Sequence, residues 1–244
     1  MCGRFLLTSP ADSISHTFDV AAPGAVPPRY NLAPGQPVLV VRGDEPTGPV
    51  TTGARHLVAM QWGLVPEWSK KRPVSPPINA RMETASEKPS FRAPMKRRRC
   101  LVPFNGWYEW VVRDGVKRPH LIHLAQNEGD EANSLPLGAF AGIWSVWHGP
   151  DGGDWLESVA ILTGPARGPL GRLHHRRPLV VGTDQYGAWL APHDPLPKGF
   201  LADFPFVAEQ AFRWRAVSRR VNSPRHDDAA CLAAPEKAAQ GSLF

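Results

Sequence analysis

The first four residues, Met1-Cys2-Gly3-Arg4, hold the group best equipped for chemistry. Once Met1 is removed, Cys2 carries a free α-amine and a thiol on adjacent carbons. An aldehyde carbon captured by both closes a five-membered thiazolidine ring: the amine condenses first, and the sulfur then locks the adduct. With reference pKa values of about 8 for the amine and about 8.5 for the thiol, both are partly nucleophilic near neutrality. Gly3 leaves room for a bulky reactant, and Arg4 sets a fixed cation beside it. A cysteine after an initiator methionine is also often incidental, and these four residues alone favour that reading.

Two later segments offer groups that move protons. In Gly106-Trp107-Tyr108-Glu109-Trp110-Val111-Val112, strand alternation places Glu109 on one face with Trp107 and Val111. Apolar surroundings raise a carboxyl pKa by desolvation and suit it to acid–base work; a strand glutamate on a partly solvated face fits the segment equally. In Leu173-His174-His175-Arg176-Arg177-Pro178, cations beside the imidazoles hold them neutral and proton-accepting near pH 7. Asn79, Arg81 and Glu83 form a dense polar set, for which the default is a helix cap at Asn79 and an Arg81–Glu83 pair or solvated charges. His120 and His123, three apart in a strand, point to opposite faces and are discounted as a metal pair.

The elements that must position these groups are short and turn-rich. With 244 residues, 42% hydrophobic, and nine Trp, the chain can bury a large core. Its 27 Pro and 22 Gly favour a loop-rich α+β or mainly β fold over a helical bundle. Strands are expected at residues 5–7, 37–42, 56–62, 100–104, 107–112, 119–124, 137–144, 157–163 and 211–217. Ser9 and Pro10 read as the cap and first position of a helix ending near Val20. Residues 78–85 read as a loop entering a short helix that Pro89 ends, and Asn105-Gly106 as a hairpin turn. Exposed excursions are expected at 43–53 and 127–133. Of Trp62 and Trp68, one ring fits the core and the other an exposed surface, where a tryptophan near cations suits base stacking.

Lys and Arg number 28 against 22 acidic residues, a net charge of +6. The cations cluster at 70–72, 96–99, 176–177 and 219–220, which favours a polyanionic partner. Three unpaired cysteines without a CxxC argue for a reducing compartment and against structural zinc. No stretch approaches the ~18 apolar residues of a membrane span, so a soluble, cytoplasmic protein is expected.

Taken in order, Met1-Cys2-Gly3-Arg4, Arg29-Tyr30-Asn31-Leu32-Ala33-Pro34, Trp62-Gly63-Leu64-Val65-Pro66-Glu67-Trp68, Asn79-Ala80-Arg81-Met82-Glu83-Thr84, Arg99-Cys100-Leu101-Val102-Pro103, Gly106-Trp107-Tyr108-Glu109-Trp110 and His174-His175-Arg176-Arg177-Pro178 resemble the SOS response-associated peptidase (SRAP) domain. The resemblance implies a single α+β domain over residues 1–235 with a polar tail at 236–244. Its fold would be a twisted, mainly antiparallel barrel-like sheet with peripheral helices and a positively charged cleft. Members of the family bind single-stranded DNA and crosslink covalently to abasic sites, without metal or cofactor. In those terms Cys2 is the nucleophile exposed by self-removal of Met1, and Asn79, Glu109 and His174 match the other active-site positions. Arg4, Trp68, Arg81 and Arg176 match the DNA-contacting set. The expectation is a monomer that shields abasic sites as a thiazolidine, with weak lyase activity as a by-product and nucleoid association when DNA is bound. A cysteine peptidase acting in trans and a non-covalent single-strand binder are the alternatives. The chain departs from the family pattern at His175, where Asp is usual, and at Gly164-Pro165, where a Thr-rich stretch is usual.

Overall fold

Backbone pairing closes five strands into a ring. The computed structural model describes residues 2–22, 24–43, 54–126 and 134–236. The excursion expected after Gly43, that at 127–133 and the tail beyond Glu236 lie outside the described residues. Among the described residues thirteen strands occur in chain order: β1 (Phe5–Leu7), β2 (Arg29–Leu32), β3 (Pro37–Arg42), β4 (His56–Trp62), β5 (Asn79–Arg81), β6 (Arg99–Phe104), β7 (Gly106–Arg113), β8 (Val116–Leu124), β9 (Gly138–Trp147), β10 (Leu156–Pro165), β11 (Arg176–Pro178), β12 (Val180–Val181) and β13 (Phe212–Ala216). Strands β10, β4, β3, β6 and β9 each pair with the next, and β9 pairs back to β10. Four of these contacts are antiparallel; β10 with β4 is parallel. A second sheet, ordered β13-β8-β7-β1-β2, is antiparallel throughout.

The ring closes around small residues. In β9, Gly138, Ala139, Ala141 and Gly142 are all buried, and a Cβ added at Gly142 would sit 2.8 Å from the Cys100 sulfur. Close backbone approach therefore needs glycine here. Aromatic rings fill the space that remains: Phe104 and Phe140 stack at 3.8 Å, with Phe5 and Trp107 edge-on to Phe140. The helices α1 (Ala11–Phe18), α2 (Arg92–Arg97), α3 (Gly168–Gly171), α4 (Tyr186–Leu190) and α5 (Phe200–Asp203) are short. Each contributes buried residues such as Phe18, Met95, Leu170, Trp189 and Leu201 to one core.

Three local expectations are corrected. Asn105 does not turn a hairpin, because β6 pairs with β3 and β9 while β7 pairs with β1 and β8. It is the switch between the sheets. Its buried Oδ1 accepts the N–H groups of Thr8 and Ser9 at 2.7 and 3.0 Å, and its Nδ2 donates to the Leu135 carbonyl at 2.6 Å. The same residue displaces the predicted helix cap: the Ser9 hydroxyl accepts from Asn105 Nδ2 at 2.8 Å, and α1 begins at Ala11 with Pro10 at the cap position. Residues 79–81, read as a loop before a helix, form strand β5, which pairs in parallel with β10 beyond the point where β4 ends.

Where the chain crosses from one sheet to the other, Gly106 leaves no room for a side chain. A Cβ there would lie 2.7 Å from Leu121 Cδ1 and 2.9 Å from the Ile122 carbonyl oxygen. Since backbone cannot swing aside, Gly106→Ala is expected to lower the free energy of unfolding by about 1–3 kcal/mol in urea denaturation. A loss below about 0.5 kcal/mol, the usual range for surface changes, would show that the junction tolerates the methyl group.

Candidate active site

Cys2 is fully buried at the head of β1. Two sheets hold it. From the ring side, Asn79, the first residue of β5, donates from Nδ2 to the Cys2 carbonyl oxygen at 2.9 Å. From the other side, β7 runs antiparallel to β1 with Phe5 opposite Trp107, and the Tyr108 N–H donates to the Arg4 carbonyl at 3.0 Å. Continuing that register brings Glu109 level with Gly3, beside Cys2. Asn79 thus bonds to the backbone of Cys2 and is not a helix cap.

Glu109 is buried at 4% exposure. Burial is the main cause that pushes its pKa up to about 7, which resolves the two readings of this strand position in favour of the apolar setting. Burial also raises the Cys2 thiol well above its ordinary value, and the nearby Glu109 charge raises it further. His174 lies between α3 and β11, half-buried. Its Nδ1 is 3.0 Å from both the N and the O of the Arg176 backbone. Its pKa is lowered, first by burial and only then by the charges of its neighbours. The predicted neutral imidazole is found with a different leading cause. Trp107, Glu109, Leu173 and His174 line one narrow cavity. The structure therefore brings Cys2, Asn79, Glu109 and His174 together from four separate elements.

The four expected DNA contacts divide into two pairs. Trp68 is 65% exposed, with Trp62 as its buried counterpart, and Arg81 is also exposed. Arg4 and Arg176 turn inward. Arg4 donates to Asn31 Oδ1 at 2.8 Å and to the carbonyls of Val221 and Asn222 at 3.0 and 3.4 Å. Arg176 holds both oxygens of Glu83 at 3.0 and 2.9 Å and the Thr163 carbonyl at 2.6 Å. Glu83 thus pairs with Arg176 and not, as its neighbourhood suggested, with Arg81. Among the described residues no cluster of three His, Cys, Asp or Glu side chains could hold a metal ion.

The residues that sequence reasoning missed belong to the scaffold of the terminus. Asn31 is fully buried; besides accepting from Arg4, its Nδ2 reaches the carbonyls of Ser223 and His226 at 2.9 and 2.7 Å. Asp227 accepts the N–H groups of Tyr30 and Asn31 and pairs with Arg29. The signal for Asn31 was present, a polar side chain inside an otherwise ordered segment, but Asp227 had none.

The sequence pattern of the SOS response associated peptidase (SRAP) family matches residues 1–224. This chain belongs to the SRAP family. It is 34% identical over 234 residues to the abasic site processing protein YoqW of Bacillus subtilis, covering 93% of this chain and 96% of that one. With the abasic site processing protein HMCES of Gallus gallus it shares 32% identity over 218 residues, 78% of this chain and 64% of that one. A crystal structure of a Bacteroides thetaiotaomicron protein superposes with a TM-score of 0.78 at 22% identity, covering 96% of this chain and 99% of that one. That last likeness concerns the fold, a single α+β domain built on the barrel-like sheet.

Both departures of this SRAP chain from the family pattern have a place in the structure. His175 is exposed and stacks on His174 with ring centroids 4.3 Å apart. Gly164 lies under Met82 and Leu179, where an added Cβ would meet the Met82 sulfur at 2.8 Å and Leu179 Cδ2 at 2.9 Å.

The Glu109 shift has a consequence for stability. Its pKa in the folded protein is about 7 against an ordinary 4.5, so folding favours the protonated form. That contribution is complete below pH 4.5 and is lost as pH rises through 7. The difference in melting temperature between the protein and Glu109→Gln should therefore shift against the native residue across this window. A difference that is flat with pH would contradict the burial of an ionisable carboxyl here.

Proposed function

We propose that this protein processes abasic sites in single-stranded DNA by forming a thiazolidine between Cys2 and the open aldehyde of the lesion. The observation that carries the reading is the placement of an amine-and-thiol residue, pinned by Asn79, beside a carboxyl titrating near neutrality and an imidazole kept neutral. The printed names of the relatives, abasic site processing proteins, support it.

Hydrolysis of the Met1–Cys2 amide, carried out by the protein on itself, consumes one water and frees the amine. The amine then attacks the C1′ aldehyde carbon. The carbinolamine loses its hydroxyl as water, with Glu109 or His174 supplying the proton, and leaves an imine. The thiol adds across the C=N bond: a C–S bond forms, the thiol proton passes to the carboxylate, and the nitrogen gains a proton as the ring closes. The raised thiol pKa sets this order, because a protonated sulfur is a poor first nucleophile. Until sulfur closes the ring, the imine can lose the 3′ phosphate by β-elimination, which accounts for weak lyase activity as a by-product.

On this reading Trp68 and Arg81 meet the strand directly, through stacking and phosphate contact. Arg4 and Arg176 act one step back, holding the terminus and β11 in place. No cofactor takes part. No described helix is long and apolar enough to cross a membrane. The proposed setting is a monomer in the cytoplasm, at the nucleoid when bound to DNA.

Intact-mass measurement before and after exposure to an abasic single-stranded oligonucleotide should show loss of Met1 and then a stable adduct. Cys2→Ala should give no adduct, and Glu109→Gln should slow its formation by about 10²-fold or more. An adduct that survives Cys2→Ala overturns the assignment. Cleavage of unrelated peptides in place of adduct formation would instead identify a peptidase acting in trans. Undiminished, salt-sensitive DNA binding with no adduct in the native protein would identify a non-covalent binder.

A further inference from the structure

A second cleft, of about 680 Å³, opens beside the active-site cavity and shares Leu170 and Arg177 with it. Its size is that of a site for a small molecule or a single nucleotide. Its floor is apolar, with Phe212 and Leu179 buried beneath it. Its lip is β13, the end strand of the five-stranded sheet, which exposes Arg213, Trp214 and Arg215 in succession. Trp214 is 40% exposed. The Arg213 guanidinium is held at the lip by the carbonyls of Gln210 and Phe212 at 2.9 and 3.0 Å.

The charge balance of the cleft is positive. Arg167, Arg177 and Arg213 face one carboxylate, Glu209. That carboxylate is already engaged: it pairs with Arg177 at 3.3 Å and accepts the Arg167 backbone N–H at 2.8 Å. An arginine-rich sheet edge is by itself an ordinary guard against strand pairing between molecules. A large aromatic face left open beside Arg213, over an apolar cleft, is not needed for that purpose. Aromatic faces interleaved with cations suit bases joined by phosphates.

We propose that this cleft is a second nucleotide subsite, which takes a base flanking the abasic residue on the same single strand. The base stacks on Trp214, and its phosphates face Arg213 and Arg167. The proposal rests on the single-stranded DNA reading above, and the shared wall at Leu170 and Arg177 places the subsite next to the reacting sugar.

The test uses two unreactive strands in which the abasic aldehyde is reduced to an alcohol. The short strand is the reduced abasic nucleotide with its 5′ and 3′ phosphates and no flanking bases, and the long one carries several nucleotides on both sides of the lesion. Binding by fluorescence anisotropy is expected to weaken about tenfold for the long strand in Trp214→Ala, and to weaken again in Arg213→Glu, with no change for the short strand. Adduct formation with a short aldehyde strand should be retained in both variants. Equal affinity of native and variant proteins for the long strand overturns the proposal, as does an equal loss on both strands, which would place Trp214 at the lesion itself. Binding of an acidic peptide to the cleft that long DNA does not displace overturns it in favour of a protein partner. Failure of the native protein to form any adduct would instead refute the covalent reading, and the length dependence would still report on the cleft. Arg213→Glu lies at an exposed position and keeps the test valid if Trp214→Ala unfolds.

Discussion

Everything in this fold depends on keeping the second residue of the chain still. Chain ends fray unless they are tied down, yet Cys2 is fully buried. The Asn79 amide on its carbonyl fixes it from the ring, and the β1–β7 ladder fixes it from the second sheet. Arg4 extends the hold to the far end of the chain through Asn31, Val221 and Asn222. Residues that are neighbours of Cys2 only in space thus set where its backbone and thiol lie. The same burial sets their chemistry, because removing water raises both the thiol and the Glu109 carboxyl.

The inward-facing arginines illustrate how a buried cation is accommodated. Arg176 is 9% exposed and meets Glu83 through two parallel hydrogen bonds, while a third donor reaches the Thr163 backbone. Bidentate pairing with further backbone acceptors is the geometry that offsets desolvation of a guanidinium. It also links three segments, β5 with the turn after it, β10 and β11, and so fixes the approach of His174 to Glu109. On the proposed reading, a positive charge near the site therefore serves the DNA indirectly, by keeping the reactive groups in register.

How much of this was legible in the sequence depended on the range of the forces involved. Strands such as β3 and β13 announce themselves through β-branched and aromatic content. That one ring of Trp62 and Trp68 would be buried and the other exposed followed from local context, but which was which came only from the structure, with Trp62 inside. Strand β5 did not, since Asn79-Ala80-Arg81 has no strand pattern and is extended because it pairs with β10, some eighty residues on. Asn105-Gly106 carried a strong local turn signal that lost to tertiary demand: the Asn105 amide is used by Thr8, Ser9 and Leu135. Asp227 was invisible, because its partners Tyr30 and Asn31 lie nearly two hundred residues away. Glu109 stood out in the sequence because a titratable group in an apolar run is anomalous wherever it occurs, whereas Cys2, Asn79 and His174 were grouped with it by the family resemblance.

The narrowness of the cavity bears on what the site accepts. The space lined by Glu109, His174, Trp107 and Leu173 is about 10 Å³, close to the room that a single water needs. A sugar that still carries its base cannot enter such a space without moving packed aromatic walls, and packed interiors resist that. A sugar without a base presents only its C1′ aldehyde. On the proposed reading, discrimination between damaged and intact nucleotides then needs no contact that recognises the lesion: a base on C1′ would meet these walls at the mouth of the cavity, and its loss leaves the aldehyde carbon free to approach Glu109 and His174. On the same reading, affinity for the strand is left to surfaces outside the cavity, where exposed side chains such as Trp68 and Arg81 are free to meet it.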